Sequence, residues 1–435
     1  RRLTGPNVYF DVCGVVLEAF EEARDQERLV RWREGVLRAA DALSWPEPEF
    51  HLKQHPKGAT LAFSAPFDQL YCATEVNEWA WSTAIGQAVM FAPGHADAKN
   101  DACALKTLQL IASAEAEPAL MAFLDKAAQT EWPVLADDDL LSIGFGAQVQ
   151  VWPRQEVPEI SILDAIAPEH MPIAIVTGSN GKTTSVRLLS AIVQASGLAC
   201  GHCCTDGLFF NGELVEADDY SGPAGARATL RHPQVQAAVL ETARGGLLRR
   251  GLACHDADVA LVTNISEDHF GEYGVFTLDD LAQVKLSVSK GLRSGGWLVL
   301  NAADPMLLKH GSAYAGNTAW FAADWHDPHL QRMLAAGLPV CGAGDGRLRM
   351  VATGHEYDLG AIDDMPLSFR SMARYNIENL AGAALTALLM GMPVSAIART
   401  LACFGSGHAD NPGRLQSWQF ADVQVLMDYA HNPEG

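Results

Sequence analysis

Eight residues constrain this chain more than any others: Thr177-Gly178-Ser179-Asn180-Gly181-Lys182-Thr183-Thr184. An apolar run, Pro172–Val176, leads into them. Behind them Val186, Leu188, Leu189, Ile192 and Val193 recur at helical spacing until Gly197 ends the pattern. Strand, glycine turn and helix in that order is the context of a phosphate-binding loop. The two glycines let backbone N–H groups turn inward around phosphate oxygens, and the helix N-terminus adds partial positive charge. Lys182 is placed to reach β- and γ-phosphates, and the Thr183 hydroxyl to meet Mg²⁺. Val176 stands where the strict pattern has glycine, so the competing reading is a chance glycine turn before a helix. Such a loop by itself names no reaction.

From Pro172 onward, short apolar runs alternate with helical patterns. Pro172–Val176, Val235–Leu240, Asp258–Ile265 and Trp297–Leu300 read as strands, the last closing the series. That alternation predicts βαβ units and a mainly parallel sheet flanked by helices, hence an α/β fold. At 435 residues the chain is too long for one ordinary core. Residues 1–152 read as a mixed α+β first domain, with a strand at Ala59–Phe63, a helix at Thr74–Met90 and one or two helices over Leu105–Leu124. A proline-punctuated segment, 153–170, reads as a linker, and 171–405 as the central phosphate-loop domain. Glu75 and Glu78, three apart, read as a solvated acidic helix face.

The chain carries 31 basic and 52 acidic side chains, a formal charge of −21. A field of that sign repels nucleic acid and anionic lipid, so any nucleotide must be held by local geometry. No apolar run reaches membrane-span length and no secretory signal leads the chain. Nine scattered cysteines set up no disulfide framework, which points to a reducing cytoplasm. Cys200-Gly201-His202-Cys203-Cys204 has half the look of a zinc site, but its apolar surroundings favour a buried strand.

Glu241 ends its strand, within Glu241-Thr242-Ala243-Arg244-Gly245-Gly246. An acid at the carboxyl end of a parallel strand beside a phosphate loop is placed to bind Mg²⁺. The next strand ends in Thr263-Asn264-Ile265-Ser266-Glu267-Asp268-His269, which puts further polar groups on the same sheet edge. Lys285 falls among apolar neighbours in a helix over Leu281–Val288. On spacing alone it reads as a snorkelling lysine.

In this order the motifs resemble the Mur ligase family: TGSNGKTT at 177–184, TNISEDH at 263–269, NAADP at 301–305, YNIEN at 375–379, NPGR at 411–414 and DYAHNP at 428–433. ETARGGLLRRGL at 241–252, TDG at 205–207 and SGP at 221–223 resemble more narrowly the Mur ligase-like half of cyanophycin synthetases. RRLTGPNVYF at 1–10 and LLSIGFGAQVQVWP at 140–153 resemble the amino-terminal domain of those synthetases. Their intervening ATP-grasp domain has no counterpart between Pro153 and the loop. Ser179 replaces the commoner threonine, and Ala303 stands where aspartate is usual, so no role is assigned there. Residues 406–435 read as the start of a Rossmann-like third domain.

The resemblance implies an ATP-dependent ligase that joins an amino acid or amine to a carboxylate through an acyl phosphate. It implies that Gly178, Ser179, Asn180, Gly181, Lys182, Thr183 and Thr184 hold ATP. Asn376 and Asn379 would face adenine, Arg414 the phosphates and Asp428 the ribose. Thr183 and Glu241 would bind Mg²⁺, and His269 with Lys285 a second metal, Lys285 as a carbamylated lysine. Arg244 would orient the acceptor carboxylate. Substrates would be arginine or another amine and a polymeric or small carboxylate. Related enzymes of this arrangement associate, so a homo-oligomer is expected. Two rivals stand: an ATP-binding subunit that needs an ATP-grasp ligase or a glutaminase partner, and a phosphate-loop kinase or ATPase.

Overall fold

The computed structural model describes residues 1–435 apart from 21, 22, 24, 89, 90, 92–99, 165, 166, 431 and 433–435. Its amino-terminal part begins with four strands, β1 (Arg2–Leu3), β2 (Gly14–Ala19), β3 (Phe50–His55) and β4 (Gly58–Ser64). They form an antiparallel sheet in the order β1-β2-β4-β3. Helices α1 (Gln26–Ala42), α2 (Leu70–Ala84) and α3 (Asp101–Glu115) lie against it around the buried Trp32, Phe63 and Trp79. The Trp32 indole keeps a polar partner in this core, donating to Asn77 Oδ1 at 2.9 Å. Helix α4 (Pro118–Gln129) packs with a three-stranded sheet, β5 (Val134–Ala136), β6 (Leu140–Ile143) and β7 (Gln150–Pro153).

The strand expected at Ala59–Phe63 is β4. The helix expected over Thr74–Met90 runs instead from Leu70 to Ala84, and Met90 lies outside the described residues. Apolar spacing continues past Ala84, but Gly86 takes a left-handed φ of 72° that ends the helix. The span Leu105–Leu124 is two helices because Pro118 starts a new one at its first turn. Glu78 is exposed and Glu75 half-buried.

The central sheet has eleven strands. Along the chain they are β8 (Ile173–Thr177), β9 (Cys200–Cys204), β10 (Gly207–Phe210), β11 (Glu213–Glu216), β12 (Ala237–Glu241), β13 (Ala257–Val262), β14 (Leu292–Asn301), β15 (Asn317–Ala322), β16 (Val340–Gly344), β17 (Arg347–Ala352) and β18 (His355–Ala361). Their order is β11-β10-β9-β12-β8-β13-β14-β15-β16-β17-β18. All pairs from β9 through β16 are parallel, whereas β10 and β11 at one edge and β17 and β18 at the other are antiparallel. The series therefore does not close at Leu300. Of the added strands, β17 and β18 follow the left-handed turns Asp345-Gly346 and Thr353-Gly354 and mix polar with apolar residues, whereas β15 and β16 are largely buried and mainly apolar like the strands before them.

Both faces of the parallel strands are covered. Ala174, Val176, Val239 and Leu261 point to one core with α5 (Lys182–Ala195), α11 (Arg374–Leu389) and α12 (Val394–Leu401). Ile175, Leu240 and Val262 point to the other with α6 (Pro223–Leu230), α7 (Arg244–Arg249) and α8 (Leu278–Leu286). That period-two division explains the continuous apolar runs. Helices α9 (Pro305–Gly311) and α10 (Pro328–Ala335) follow β14 and β15, and a two-stranded hairpin, β19 (Gln416–Phe420) with β20 (Val423–Met427), lies near the carboxyl end.

Cys200–Cys204 is the buried strand β9. Burial pushes the Cys200 and Cys203 thiols up to about 12, as for thiols packed in an apolar core.

Arg231, the residue capping α6, fastens the three-stranded sheet to the central one. Its guanidinium donates to Asp137 Oδ2 at 2.5 Å, Ser142 Oγ at 3.0 Å and the Leu135 and Leu140 carbonyls at 3.2 Å. Burial pushes the Asp137 carboxyl up, but the Arg231 hydrogen bond and the Leu140 N–H outweigh it and hold the pKa below 3.8. A depressed carboxyl pKa adds stability that is present above about pH 4 and lost as pH falls through the lower folded value. The pair is only part-buried, so Arg231→Met should lower stability at pH 7 by about 1–3 kcal/mol, between the values for exposed and fully buried pairs. Its urea midpoint should also fall less steeply than wild type between pH 5 and 3. A parallel acid profile would contradict this account of the clamp.

Candidate active site

The carboxyl ends of β12, β8 and β13 set the site. Parallel pairing puts Glu241 opposite Val176 and Val262 opposite Thr177, so the segments leaving all three strands start level. Ligands of open α/β sheets bind at such strand ends.

The turn after β8 needs both its glycines. Gly178 has φ 149°, and a Cβ there would lie 1.8 Å from Thr263 Oγ1. Gly181 has φ 81°, and its Cβ would lie 2.3 Å from Asn379 Oδ1. The loop is then laced to the strand-end segment beside it. Ser179 N–H donates to the Asn264 carbonyl at 2.9 Å, and Asn180 N–H to Asn264 Oδ1 at 2.9 Å. Thr263 Oγ1 donates to the Asn180 carbonyl at 2.5 Å, and Ser179 Oγ to the Ser266 carbonyl at 2.9 Å. These bonds occupy the outward groups of the turn and leave its concave side facing a cavity at the start of α5.

That cavity, about 1300 Å³, is lined by Lys182, Thr183, Glu241, Asp268, His269 and Lys285. Arg244, Asn376, Asn379, Arg414 and Asp428 line it as well, together with the turn residues Ser179, Asn180, Gly181 and Thr184. Gly178, which is not among the lining residues, presents its carbonyl to Lys285. The expected set, scattered in sequence from the phosphate loop to the carboxyl-terminal segment, is thus brought to one space.

Glu241 is wholly buried, and two hydroxyls hold its carboxylate: Thr183 Oγ1 at 3.0 Å and Thr205 Oγ1 at 2.9 Å. Thr205 is a site residue to which sequence reasoning assigns no role, although the TDG string that contains it carries part of the resemblance. The Thr183 hydroxyl beside a carboxylate is a hard-oxygen pair that fits Mg²⁺. Among the described residues no cluster of three or more His, Cys, Asp or Glu is close enough to hold a metal. An ion here would complete its shell with water or with oxygens of a bound nucleotide.

Lys285 is 1% exposed, and its ammonium donates to the Gly178 carbonyl at 2.7 Å. Burial first, then the charge of Lys182, hold its pKa well below 10.5. As a cation it does not fit a second metal, and only conversion to a carboxylate would suit it. His269, expected beside it, is 62% exposed with φ 50°, its ring 3.5 Å from Asp268. Lys182 donates to the Ser179 carbonyl at 3.0 Å, curled over the turn.

Arg244 lies on the cavity wall. Buried, it donates to the His269 carbonyl at 2.8 Å and pairs with Glu272 at 2.7 Å. Here it braces the strand-end segment, and its donors toward an acceptor are partly spent. At the other end Asn376 and Asn379 share a 3.1 Å hydrogen bond on the first turns of α11, and the Tyr375 hydroxyl donates to Asp428 at 3.3 Å. The Arg414 guanidinium lies 4.6 Å from the Tyr429 ring centroid. Asn432 and Asn180 exchange side-chain hydrogen bonds of 3.1 and 2.9 Å, which ties the carboxyl-terminal segment to the phosphate loop.

Residues 176–387 match the Mur ligase middle domain. The chain is 34% identical over 301 residues to the cyanophycin synthetase of Geminocystis herdmanii, covering 67% of this chain and 34% of that protein. It is 33% identical over 297 residues to that of a Synechocystis species, with the same coverage. The chain thus spans about a third of the length of these relatives. A UDP-N-acetylmuramoyl-L-alanyl-D-glutamate–2,6-diaminopimelate ligase of Halalkalibacterium halodurans is 26% identical, over 60% of this chain and 51% of that one. A solved structure of a ligase with that name aligns with a TM-score of 0.46 and 20% identity, over 63% of this chain and 53% of the other.

Because φ at Gly181 is left-handed and Asn379 fills the space beside it, Gly181→Ala should weaken ATP binding about tenfold or more. Calorimetric titration of ATP with Mg²⁺ checks this, and unchanged affinity would contradict a phosphate-cradling role for the turn.

Proposed function

The chain carries a Mur ligase middle domain, and from that premise we propose that it is an ATP-dependent ligase joining an amine to a substrate carboxylate. The observation that carries the reading is the convergence of Lys182, the Thr183–Glu241 pair and Asp268 on one cavity at the ends of three parallel strands. When bound, ATP supplies the phosphoryl group that turns the carboxylate into an acyl phosphate, and Mg²⁺ neutralises charge on the phosphates.

The residues present serve that chemistry by position and charge. Inward N–H groups of the 178–184 turn and the start of α5 hold phosphate oxygens. Lys182 swings from the Ser179 carbonyl to the transferring phosphoryl group, where its positive charge counts most. Thr183 and Glu241 would hold Mg²⁺, and Thr205 keeps the Glu241 carboxylate from rotating. Asn376, Asn379, Arg414 and Asp428 hold the nucleoside and phosphates. The amine then attacks the acyl carbon, and the tetrahedral intermediate collapses with loss of phosphate. Lys285 with His269 would hold a second metal once the lysine amine adds CO₂, forming an N–C bond and losing a proton to give a carbamate; its depressed pKa favours the free amine that this addition requires. Arg244 holds the 269–272 backbone and keeps one edge toward the acceptor.

Similarity to cyanophycin synthetases favours arginine as the amine donor and an aspartate polymer as the acceptor. A second reading, an ATP-binding subunit that works with a separate ATP-grasp ligase or a glutaminase, is favoured by the short passage from β7 to β8. Pro153 ends the one and Ile173 already begins the other, which leaves no room for a further catalytic domain between them.

Phosphate release with matched carboxylate and amine pairs tests the proposal. Lys182→Ala and Glu241→Ala should each cost two or more orders of magnitude in kcat, about 3 kcal/mol of barrier. Equal rates in all three proteins would remove the assignment. A stable phosphorylated product without amide would identify a kinase instead. Turnover that appears only when a partner is added would favour the subunit reading.

A further inference from the structure

The segment that carries Asp268 and His269 is poorly made to hold its own shape. Between His269 and Val275 the backbone turns left-handed at His269, Gly271, Tyr273 and Gly274, with φ of 50°, 90°, 53° and 73°. Its internal ties are an isolated bridge between Glu272 and Val275 and two short N–H bonds. A segment of that kind keeps one geometry only if something outside it supplies partners.

Arg244 supplies part of this at His269 and Glu272, and the remaining partners come from the amino-terminal sheet, in a different part of the chain. Lys57, in the turn between β3 and β4, donates its ammonium to the Gly271 carbonyl at 3.1 Å. Lys53, on the edge strand β3, donates to the Gly274 carbonyl at 3.4 Å and to Asp280 Oδ1 at 2.5 Å. His55, two residues on and therefore on the same face of β3, stacks on Phe276 with centroids 4.9 Å apart. Gly274 presses so closely on β4 that a Cβ would lie 2.3 Å from Thr60 Oγ1. Thr60 itself donates to Glu18, which pairs with Arg1, and the Arg1 guanidinium covers Tyr273 at 4.4 Å.

Asp280 gives the contact a second reach. Its other oxygen accepts the Phe276 and Thr277 N–H groups at 2.9 and 3.0 Å and completes the capping box at the start of α8. Helix α8 carries Lys285. Lys53 thus grips the strand-end segment and the helix of the buried lysine together, and both are located relative to β3.

We propose that the β3–β4 hairpin is a positioning device for the active-site segment, with Lys53 and Lys57 as the positioning residues. The proposal rests on the ligase reading above. Neither lysine lines the cavity; they fix the backbone that presents Asp268 and His269 to it and Glu272 to Arg244. The amino-terminal domain then completes the site rather than accompanying it. The Lys53–Asp280 pair at 2.5 Å is the short, charge-assisted member of the set, and the carbonyl bonds at 3.1 and 3.4 Å add direction to it.

The test uses the full chain with Lys53→Met and Lys57→Met combined, which keeps the apolar stems and removes the donors. Hydrogen exchange with ADP and Mg²⁺ present should rise in residues 268–276 and stay as in wild type over 178–184. In phosphate release, kcat should fall about ten- to a hundredfold while KM for ATP moves less than about twofold. The Lys53→Arg, Lys57→Arg protein should recover most of the rate. Unchanged exchange over 268–276 overturns the proposal, as does raised exchange with kcat unchanged. The exchange reading needs no turnover, so a wild-type protein that releases no phosphate speaks against the ligase reading instead.

Discussion

The parallel register of β12, β8 and β13 is the constraint on which the rest depends. Glu241 level with Val176, and Val262 level with Thr177, bring three strand ends to one line. The Thr183 hydroxyl then stands 3.0 Å from a carboxylate 58 residues later in the chain. Slipping β12 by one residue would turn Glu241 to the opposite face of the sheet and bury an unpaired carboxylate in apolar packing. The apolar alternation along these strands fixes the site as well as the core: Val239 and Leu240 go to opposite cores, and that choice leaves Glu241 no freedom.

Around that line, backbone and side chain divide the work. Glycines at 178 and 181 supply conformations that no other residue takes cheaply, and the groups on the outside of the turn are used up by Thr263, Asn264 and Ser266. What remains faces inward. A carboxylate as buried as Glu241 would be strongly destabilising alone; two hydroxyl donors offset much of that and fix its plane. Lys285 is the opposite case. It has one neutral carbonyl partner and no carboxylate bonded to it among the described residues, so burial holds its pKa well below the ordinary lysine value.

Much of this was legible in the sequence because it is local or periodic. The loop, its strand and helix, Glu241 at a strand end and the buried character of Cys200–Cys204 all follow from spacing within a few residues. Other features were not, for reasons that are physical rather than accidental. The antiparallel strands β17 and β18 at one sheet edge and β11 at the other are partly or wholly exposed, so polar residues interrupt their apolar runs. Arg244 sits in a glycine-flanked motif that suggests ligand contact, yet its bonds go to His269 and Glu272, a pairing that only the return of the chain creates. Thr205 resembles any turn residue until β9 and β12 pair. The lysines of the β3–β4 hairpin look like ordinary solvated charge at a sheet edge, and nothing near them in the sequence indicates what they meet.

The central claim is that the phosphate loop and the carboxylate on the neighbouring strand act on one metal-bound nucleotide. The most direct measurement is a double-mutant cycle on the Mg²⁺ enhancement of ATP affinity, using Thr183→Ala, Glu241→Gln and both together. The account predicts that each change abolishes most of the enhancement and that the double variant is no worse than the poorer single one. Additive losses, or a Glu241→Gln protein that keeps its full Mg²⁺ enhancement, would contradict it.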